Sequence, residues 1–168
     1  MTTSNILQND EELEIVNGEQ RWRTSWHAPD RVPLGQPHGS AGIGVLPTGE
    51  MVLISQDGRI WDFPAGRPQG DETWEETLRR EIMEEACSLV TDTHLLGYCR
   101  SQCCQGVEQG LVLVRAIWRA KVEILDWEPR YEIKHRKVVA GDEAIAQTPE
   151  AYQPIWRRAF GEMAAFKD

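Results

Sequence analysis

The chain has 168 residues, of which 40% are hydrophobic and 27% charged, so it is long enough for one domain with its own core and too short for two of ordinary size. These fractions lie near globular averages and exclude a disordered chain or a fibrous repeat. The formal net charge of −9 repels polyphosphate backbones, which excludes a protein that binds bulk nucleic acid through a basic surface.

Membrane spans and export signals are not expected. The longest apolar stretch, residues 111–118, is interrupted by Arg115 and is far below the roughly 18 residues that a span requires. Residues 1–16 begin polar and become acidic, without the basic start and apolar run of a secretory signal. We therefore expect a cytoplasmic protein with no membrane partner. Its four cysteines lack zinc-ligand spacing and are predicted to be reduced thiols.

The first part of the chain shows little regular patterning. Residues 17–38 contain two tryptophans, three prolines and two histidines, with no clear hydrophobic period. The sequence therefore predicts that residues 1–38 form an irregular lead-in, with at most one edge strand, that packs on or flanks the domain. The domain itself is predicted to span residues 39–168.

Strand patterns follow the lead-in. Apolar residues at 43–46, a Pro47-Thr48-Gly49 turn and a second apolar run at 51–54 predict a β-hairpin. A third strand is expected over 59–63, before a loop rich in glycine and proline. Further along, strands are predicted at His94–Cys99, Leu111–Leu125 and Glu132–Ala140, and a C-terminal helix after Thr148.

One helix is predicted with a clear start. Thr73 and Glu76 have the spacing of a capping box, and the residues up to Cys87 are mostly strong helix formers. Its apolar positions fall within an arc of about 80° that should face the core. These positions are Trp74, Leu78, Ile82 and Leu89.

Glutamates lie on or beside that apolar arc. Glu81 and Glu85 fall within or next to it, and Glu84 lies one step off its edge. An unpaired buried glutamate costs several kcal/mol, so a cation is expected to meet these side chains. Hard oxygen ligands at i, i+3 and i+4, without histidine or thiolate, suit Mg²⁺ or Mn²⁺. The alternative, a solvated face with ion pairs to Arg79 and Arg80, stays open.

The segment from Gly66 to Ser88 resembles the Nudix box, G-x5-E-x7-R-E-U-x-E-E-x-G-U, where U is a bulky aliphatic residue. The matching positions are Gly66, Glu72, Arg80, Glu81, Ile82, Glu84 and Glu85. Cys87 and Ser88 replace the final glycine and aliphatic residue. A residue leaving a helix often adopts a left-handed conformation, in which a Cβ costs about 1 kcal/mol. The resemblance implies an α/β fold, the Nudix-type α/β/α sandwich with a mixed β-sheet.

The resemblance also implies roles for individual residues. Glu81, Glu84 and Glu85 would bind the divalent ions, helped by a backbone carbonyl of Ala65 or Gly66. Glu72 and Arg80 would hold these carboxylates in position by charge-assisted hydrogen bonds. Members of the family often add a carboxylate from a later loop, for which Glu132 is the first candidate and Glu108, Asp126 and Glu128 are the alternatives. Glu81 or Glu132 would be the general base.

The reaction implied is hydrolysis of a phosphoanhydride bond in a nucleoside diphosphate linked to another moiety. Arg67 and Arg100 are candidates for phosphate contacts, and Trp22, Trp26 and Trp61 for stacking on a base; surface and core roles are the alternatives. The substrate class, the number of metal ions and the presence of a homodimer stay open. A non-catalytic nucleotide-binding domain of the same fold is one alternative. An isoprenoid diphosphate isomerase, which would need a catalytic cysteine, is another.

Overall fold

The computed structural model describes residues 6–166, which form a mixed β-sheet with helices on both faces. The strands are β1 (Leu13–Asn17), β2 (Gln20–His27), β3 (Gln36–Val45), β4 (Met51–Ser55), β5 (Ala65–Gly66), β6 (Ser88–Gln105), β7 (Val112–Ile124) and β8 (His135–Val139). The helices are α1 (Trp74–Ala86), α2 (Gly141–Ala144) and α3 (Gln153–Ala165), with 3-10 turns at Ile145–Gln147 and Glu150–Tyr152. No helix within this part of the chain is long and apolar enough to cross a membrane.

The sheet has the order β1-β2-β6-β7-β3-β4-β8, and β5 pairs with β3 beside this path. The pairing of β3 with β7 is parallel, whereas the other paired strands are antiparallel. The mixed sheet predicted from the family resemblance is therefore confirmed. The parallel pair lies near the middle of the sheet, where both of its faces are covered.

Each face of the sheet is covered by a helix. On one face, Leu78 and Ile82 of α1 are fully buried in a cluster with Val114 and Trp118 of β7. On the other face, α3 buries Trp156 in a second cluster that includes strand residues from β3, β4, β6 and β7. Alternate residues of β7 serve the two clusters because successive strand side chains point to opposite faces. This arrangement confirms the α/β/α sandwich.

The N-terminal segment differs from the irregular lead-in that the sequence predicts. Residues 13–17 and 20–27 form an antiparallel pair, and β2 also pairs with β6, so β2 is not an edge strand. Alternation within β2 buries Thr24 and Trp26 and exposes Arg21 and Arg23. Two of the prolines that obscure this pattern, Pro29 and Pro33, come after β2, in the loop before β3. Residues 1–5 lie outside the described residues.

The strand predicted over 59–63 is wrong. The Asp57 carboxylate accepts hydrogen bonds from the backbone amides of Arg59 and Ile60, at 2.8 and 2.9 Å, and so forms a turn. Only Asp62 bridges to a strand residue, Ile54. A short aspartate side chain competes with the strand ladder for backbone donors, and here the local hydrogen bonds prevail.

Both ends of α1 follow the prediction closely. The Thr73 side chain accepts a hydrogen bond from the Glu76 amide at 3.2 Å, which confirms the N-terminal cap. The helix ends at Ala86, and Cys87 has the left-handed conformation expected there, with φ of 47° and ψ of 51°. The prediction that Leu89 belongs to the apolar face of the helix is wrong, because Leu89 lies in β6 and is 44% exposed.

A close approach of two backbones fixes the loop before α1. Gly39 has a φ of +100°, and a Cβ there would collide with the carbonyl oxygen of Gly66 and lie 2.7 Å from its carbonyl carbon. We expect Gly39→Ala to lower the free energy of unfolding by about 3 kcal/mol or more, because the β3–β5 pairing must separate. Gly49→Ala, at φ of +88° with no atom within 4 Å, is the matched control and should cost about 1–2 kcal/mol. Denaturant unfolding of the two variants measures the difference, and equal losses would contradict the steric argument.

Candidate active site

The loop that carries β5 packs directly against α1. A Cβ on Gly66 would collide with the carboxyl group of Glu81, so any other residue here would displace that carboxyl group from its place beside the loop. The pairing of Ala41 with Ala65 and of Ser40 with Gly66 ties the loop to β3. The loop therefore brings backbone groups next to the glutamates of the helix.

Arg80 is the centre of a network of carboxylates. Its Nε and Nη2 donate to Glu72 at 2.8 and 2.9 Å, and its Nη1 donates to Glu81 at 2.7 Å and Glu84 at 3.2 Å. Nη2 also donates to the carbonyl of Arg67 at 2.8 Å. The Arg80 hydrogen bonds are the main cause that lowers the pKa of Glu72 to about 2. Arg80 therefore joins the carboxylates of Glu72, Glu81 and Glu84 through its hydrogen bonds.

Glu85 lies on the side of α1 that faces the loop. Its Oε1 accepts a hydrogen bond from the Ala65 amide at 2.9 Å. Burial, together with the charges of Glu81 and Glu132, raises the pKa of Glu85 to about 7, against the lowering effect of the Ala65 amide. Burial also raises the pKa of Glu81. The two glutamates predicted to point inward thus carry negative charge that the protein only partly compensates.

A cavity of about 260 Å³ opens beside these side chains. The carboxylates that line it are Glu81, Glu84, Glu85 and Glu132, and Arg80 lies at its edge. Glu132, from the segment between β7 and β8, thus joins the helix glutamates at one site. Within residues 6–166, no three or more His, Cys, Asp and Glu side chains are grouped to enclose a metal ion. The carboxylates of Glu81 and Glu84 accept hydrogen bonds from Arg80, whereas that of Glu85 accepts one from the Ala65 amide.

A larger cavity of about 600 Å³ lies on the sheet face that α3 covers. It is lined by Arg67, the candidate for a phosphate contact, together with residues that the sequence analysis did not select, among them His38, Asp62 and Arg115. Burial raises the pKa of Asp62 to about 6. Burial and the nearby arginines lower the pKa of His38 to about 4. The sequence could have indicated Arg115, because a charged residue inside the apolar run of β7 is unusual and suggests a specific role.

The three tryptophans considered as stacking partners for a base lie in different surroundings. Trp22 lines the larger cavity, whereas Trp26 is buried in the core with 4% exposure. Trp61 is covered by Lys137, whose Nζ lies 4.1 Å from the ring centroid. Arg100 donates through Nε to the carbonyl of Leu34 at 3.1 Å, which gives it a structural role.

The cysteines offer no nucleophile at the glutamate site. The free thiols are Cys87, Cys99, Cys103 and Cys104. Cys99 lines the larger cavity, but burial raises its pKa to about 12, which keeps the thiol protonated and unreactive. The Sγ of Cys87 donates to the carbonyl of Glu128 at 3.3 Å. The observations therefore do not favour an isomerase that uses a cysteine.

Comparison with known proteins agrees with this description. A family model of the NUDIX domain matches residues 36–155. The fold is similar to that of the Bacillus subtilis pyrophosphohydrolase BsRppH, at 19% identity and a TM-score of 0.71, over 90% of this chain and 96% of that one. It is also similar to a MutT protein from Methanosarcina mazei, at 17% identity and a TM-score of 0.58, over 78% and 98% of the two chains. Comparison with curated protein sequences finds no significant match.

The family match spans most of the chain and includes every part of the glutamate site. It covers the loop with Ala65 and Gly66, the whole of α1, and Glu132. The helix, its cap, its left-handed end and the mixed sheet follow the pattern that the resemblance predicted. The chain therefore belongs to the Nudix hydrolase family, whose enzymes hydrolyse pyrophosphate bonds.

Proposed function

We propose that this enzyme uses Mg²⁺ or Mn²⁺ to hydrolyse a phosphoanhydride bond in a nucleoside diphosphate linked to another moiety. The observation that carries the proposal is the pair of inward glutamates, Glu81 and Glu85, whose pKa values burial raises. Carboxylates held in this way favour binding of a cation, which a protein of net charge −9 also needs in order to accept a polyphosphate.

The ligand set that fits this chemistry consists of oxygen atoms. Glu81, Glu84 and Glu85 line the small cavity and would hold the metal. Ala65 is a better candidate than Gly66 for the backbone ligand. Gly66 pairs with β3, and its carbonyl oxygen lies against Gly39, whereas the Ala65 amide faces Glu85. The amide and carbonyl of one strand residue point to the same side, so the Ala65 carbonyl also faces the glutamates.

The protein residues divide the remaining tasks. When bound, a divalent ion neutralises phosphate oxygens and lowers the pKa of water. Arg80 keeps Glu81 and Glu84 oriented, and Glu72 anchors Arg80. Glu81 or Glu132, both at the cavity, accepts the proton of the attacking water. In-line attack then breaks the bond between phosphorus and the bridging oxygen, which leaves with the second phosphate.

The substrate is proposed to be a small nucleotide-type molecule rather than bulk nucleic acid. Arg67 and Trp22 line the larger cavity and are the contacts proposed for the remaining moiety. Trp61 stays a proposal with less support, because Lys137 already covers its ring. The cytoplasmic location, the homodimer and the division of the chain at residue 38 remain predictions.

Metal dependence provides the direct test. We expect hydrolysis of a panel of nucleoside diphosphate derivatives to fall to background in a chelator and to return with Mg²⁺ or Mn²⁺. At a hundredfold excess over its Kd, Mn²⁺ should raise the melting temperature by about 5–10 °C, because it binds only the folded state. Undiminished activity in chelator would overturn the metal proposal. Binding of nucleotides without phosphate release would favour a non-catalytic domain.

A further inference from the structure

The larger cavity contains an arginine that the proposed reaction does not use. Arg115 lies in the middle of β7 and pairs across the sheet with Cys99 of β6. We propose that Arg115 binds an anionic group, a phosphate or a carboxylate, on the part of the substrate that is not hydrolysed. The inference rests on the proposed function and names the substrate class: a nucleoside diphosphate derivative whose remaining moiety carries a further negative charge.

The first support is that the Arg115 guanidinium lacks a partner. Among residues 6–166, Arg115 has no hydrogen bond or ion pair, and its Nε is buried without an acceptor. A buried guanidinium nitrogen without an acceptor is costly, because it has lost its water and the nearby charge of Asp62 compensates only part of that loss. The cost is explained if the side chain is kept ready for a ligand that enters the cavity.

The second support is the balance of charge in the cavity. Arg67 is a second cation in the lining. Asp62 is a buried acid in the same cavity; its charge interacts with that of Arg115, but the two side chains form no direct salt bridge, so the Arg115 donors stay open to a ligand. Glu108 is exposed on the loop between β6 and β7, where water and salt screen its charge. An anion that reaches Arg115 therefore meets a favourable charge.

The third support is the position of the cavity relative to the glutamates. Asp62 and Arg67, which line the larger cavity, come shortly before and after Ala65 in the sequence. The amide of Ala65 donates a hydrogen bond to Glu85, so one loop contacts both sites. One substrate can therefore place its diphosphate at the glutamates and its remaining moiety in the larger cavity.

The shape of the guanidinium determines which anions fit. Its planar fork donates two parallel hydrogen bonds, which match the oxygens of a phosphate or a carboxylate. Trp22 and Tyr152 in the cavity lining add flat surfaces for the rest of the moiety. The two anions have the same chemistry at Arg115, and substrates that carry one or the other distinguish them.

Binding without metal tests the inference independently of hydrolysis. In a chelator, we titrate the full chain by calorimetry with inorganic phosphate, acetate, adenosine 5′-monophosphate and uncharged adenosine. The monophosphate should bind more tightly than adenosine, and Arg115→Met should weaken its binding at least tenfold. Arg23→Met, an exposed arginine on β2, is the matched control and should leave the affinity unchanged. Equal binding of adenosine and its monophosphate would overturn the inference.

Stability and kinetics separate a ligand contact from a structural role. Arg115→Met should raise the melting temperature of the free protein, because it removes a buried unpaired charge. If the reaction proceeds as proposed, the variant should raise KM for substrates with an anionic second moiety and leave KM for neutral ones unchanged. Arg115→Lys, which keeps the charge and loses the fork, should retain part of the binding. A lower melting temperature with unchanged affinity in both variants would overturn the inference and leave the metal-dependent reaction intact.

Discussion

Replacing Glu85 with glutamine should lower turnover in Mg²⁺ by about 100-fold or more. The change preserves the shape of the side chain and its acceptor for the Ala65 amide, so the loop stays in place. It removes the charge that a metal ligand requires, and the loss of several kcal/mol of transition-state stabilisation costs about tenfold per 1.4 kcal/mol. Steady-state kinetics with a cleaved nucleotide substrate measure the effect.

The same variant should be more stable than the wild type when no metal is bound. Burial raises the pKa of Glu85 from its ordinary value of 4.5 to about 7. Between these values the folded protein keeps a proton that the unfolded chain releases, so stability falls as the pH rises from about 4.5 to about 7. Glu85→Gln removes this loss and should gain about 1–3 kcal/mol above pH 7. Denaturant unfolding in chelator at pH 5 and pH 8 shows whether the gain appears only at the higher pH.

Glu76→Gln is the matched control for this prediction. Glu76 lies on the same helix, but it is exposed and its side chain faces away from both cavities. The substitution should change stability by less than about 0.5 kcal/mol and leave turnover unaltered. Similar losses of turnover in the two variants would mean that the helix is only a charged surface.

Removing the Arg80 side chain should damage both the fold and the reaction. Arg80→Met leaves Glu72, Glu81 and Glu84 close together without the guanidinium that joins them. Breaking a mostly buried ionic network of this kind costs about 3–5 kcal/mol, and the misplaced carboxylates should lower turnover about 100-fold or more. Melting temperature and turnover, measured at the same pH and metal concentration, give the two effects.

The neighbouring Arg79 provides a control of equal size and charge. Its side chain is 42% exposed, pairs with Glu75 at 3.2 Å and donates to the carbonyl of Val90 at 3.0 Å, so Arg79→Met should cost only about 1–2 kcal/mol. Arg80→Lys should recover part of the stability by keeping the charge, but not the turnover, because a lysine cannot bridge Glu72 and Glu81 with a planar fork. Full activity of Arg80→Lys would show that charge alone suffices.

Local sequence was sufficient for the glutamate helix. Its start at Thr73, its inward Glu81 and Glu85 and its left-handed end at Cys87 depend on residues within a few positions of one another. Hydrogen bonds and the helical period act over that distance, so spacing alone predicts them. Local rules failed where a side chain competed with the backbone, as Asp57 does in the segment predicted to be a strand.

Tertiary structure decided what lies around that helix. Glu132 joins the glutamates, and Arg115 shares a cavity with Asp62 and Trp22, only after segments far apart in the chain have paired. Such pairings depend on strand register, and a shift of one residue would turn Arg115 to the opposite face of the sheet. The sequence by itself therefore determined the glutamate helix, where cleavage is proposed to occur. Register and packing determined where the rest of the substrate is proposed to bind, because they place side chains that no local rule connects.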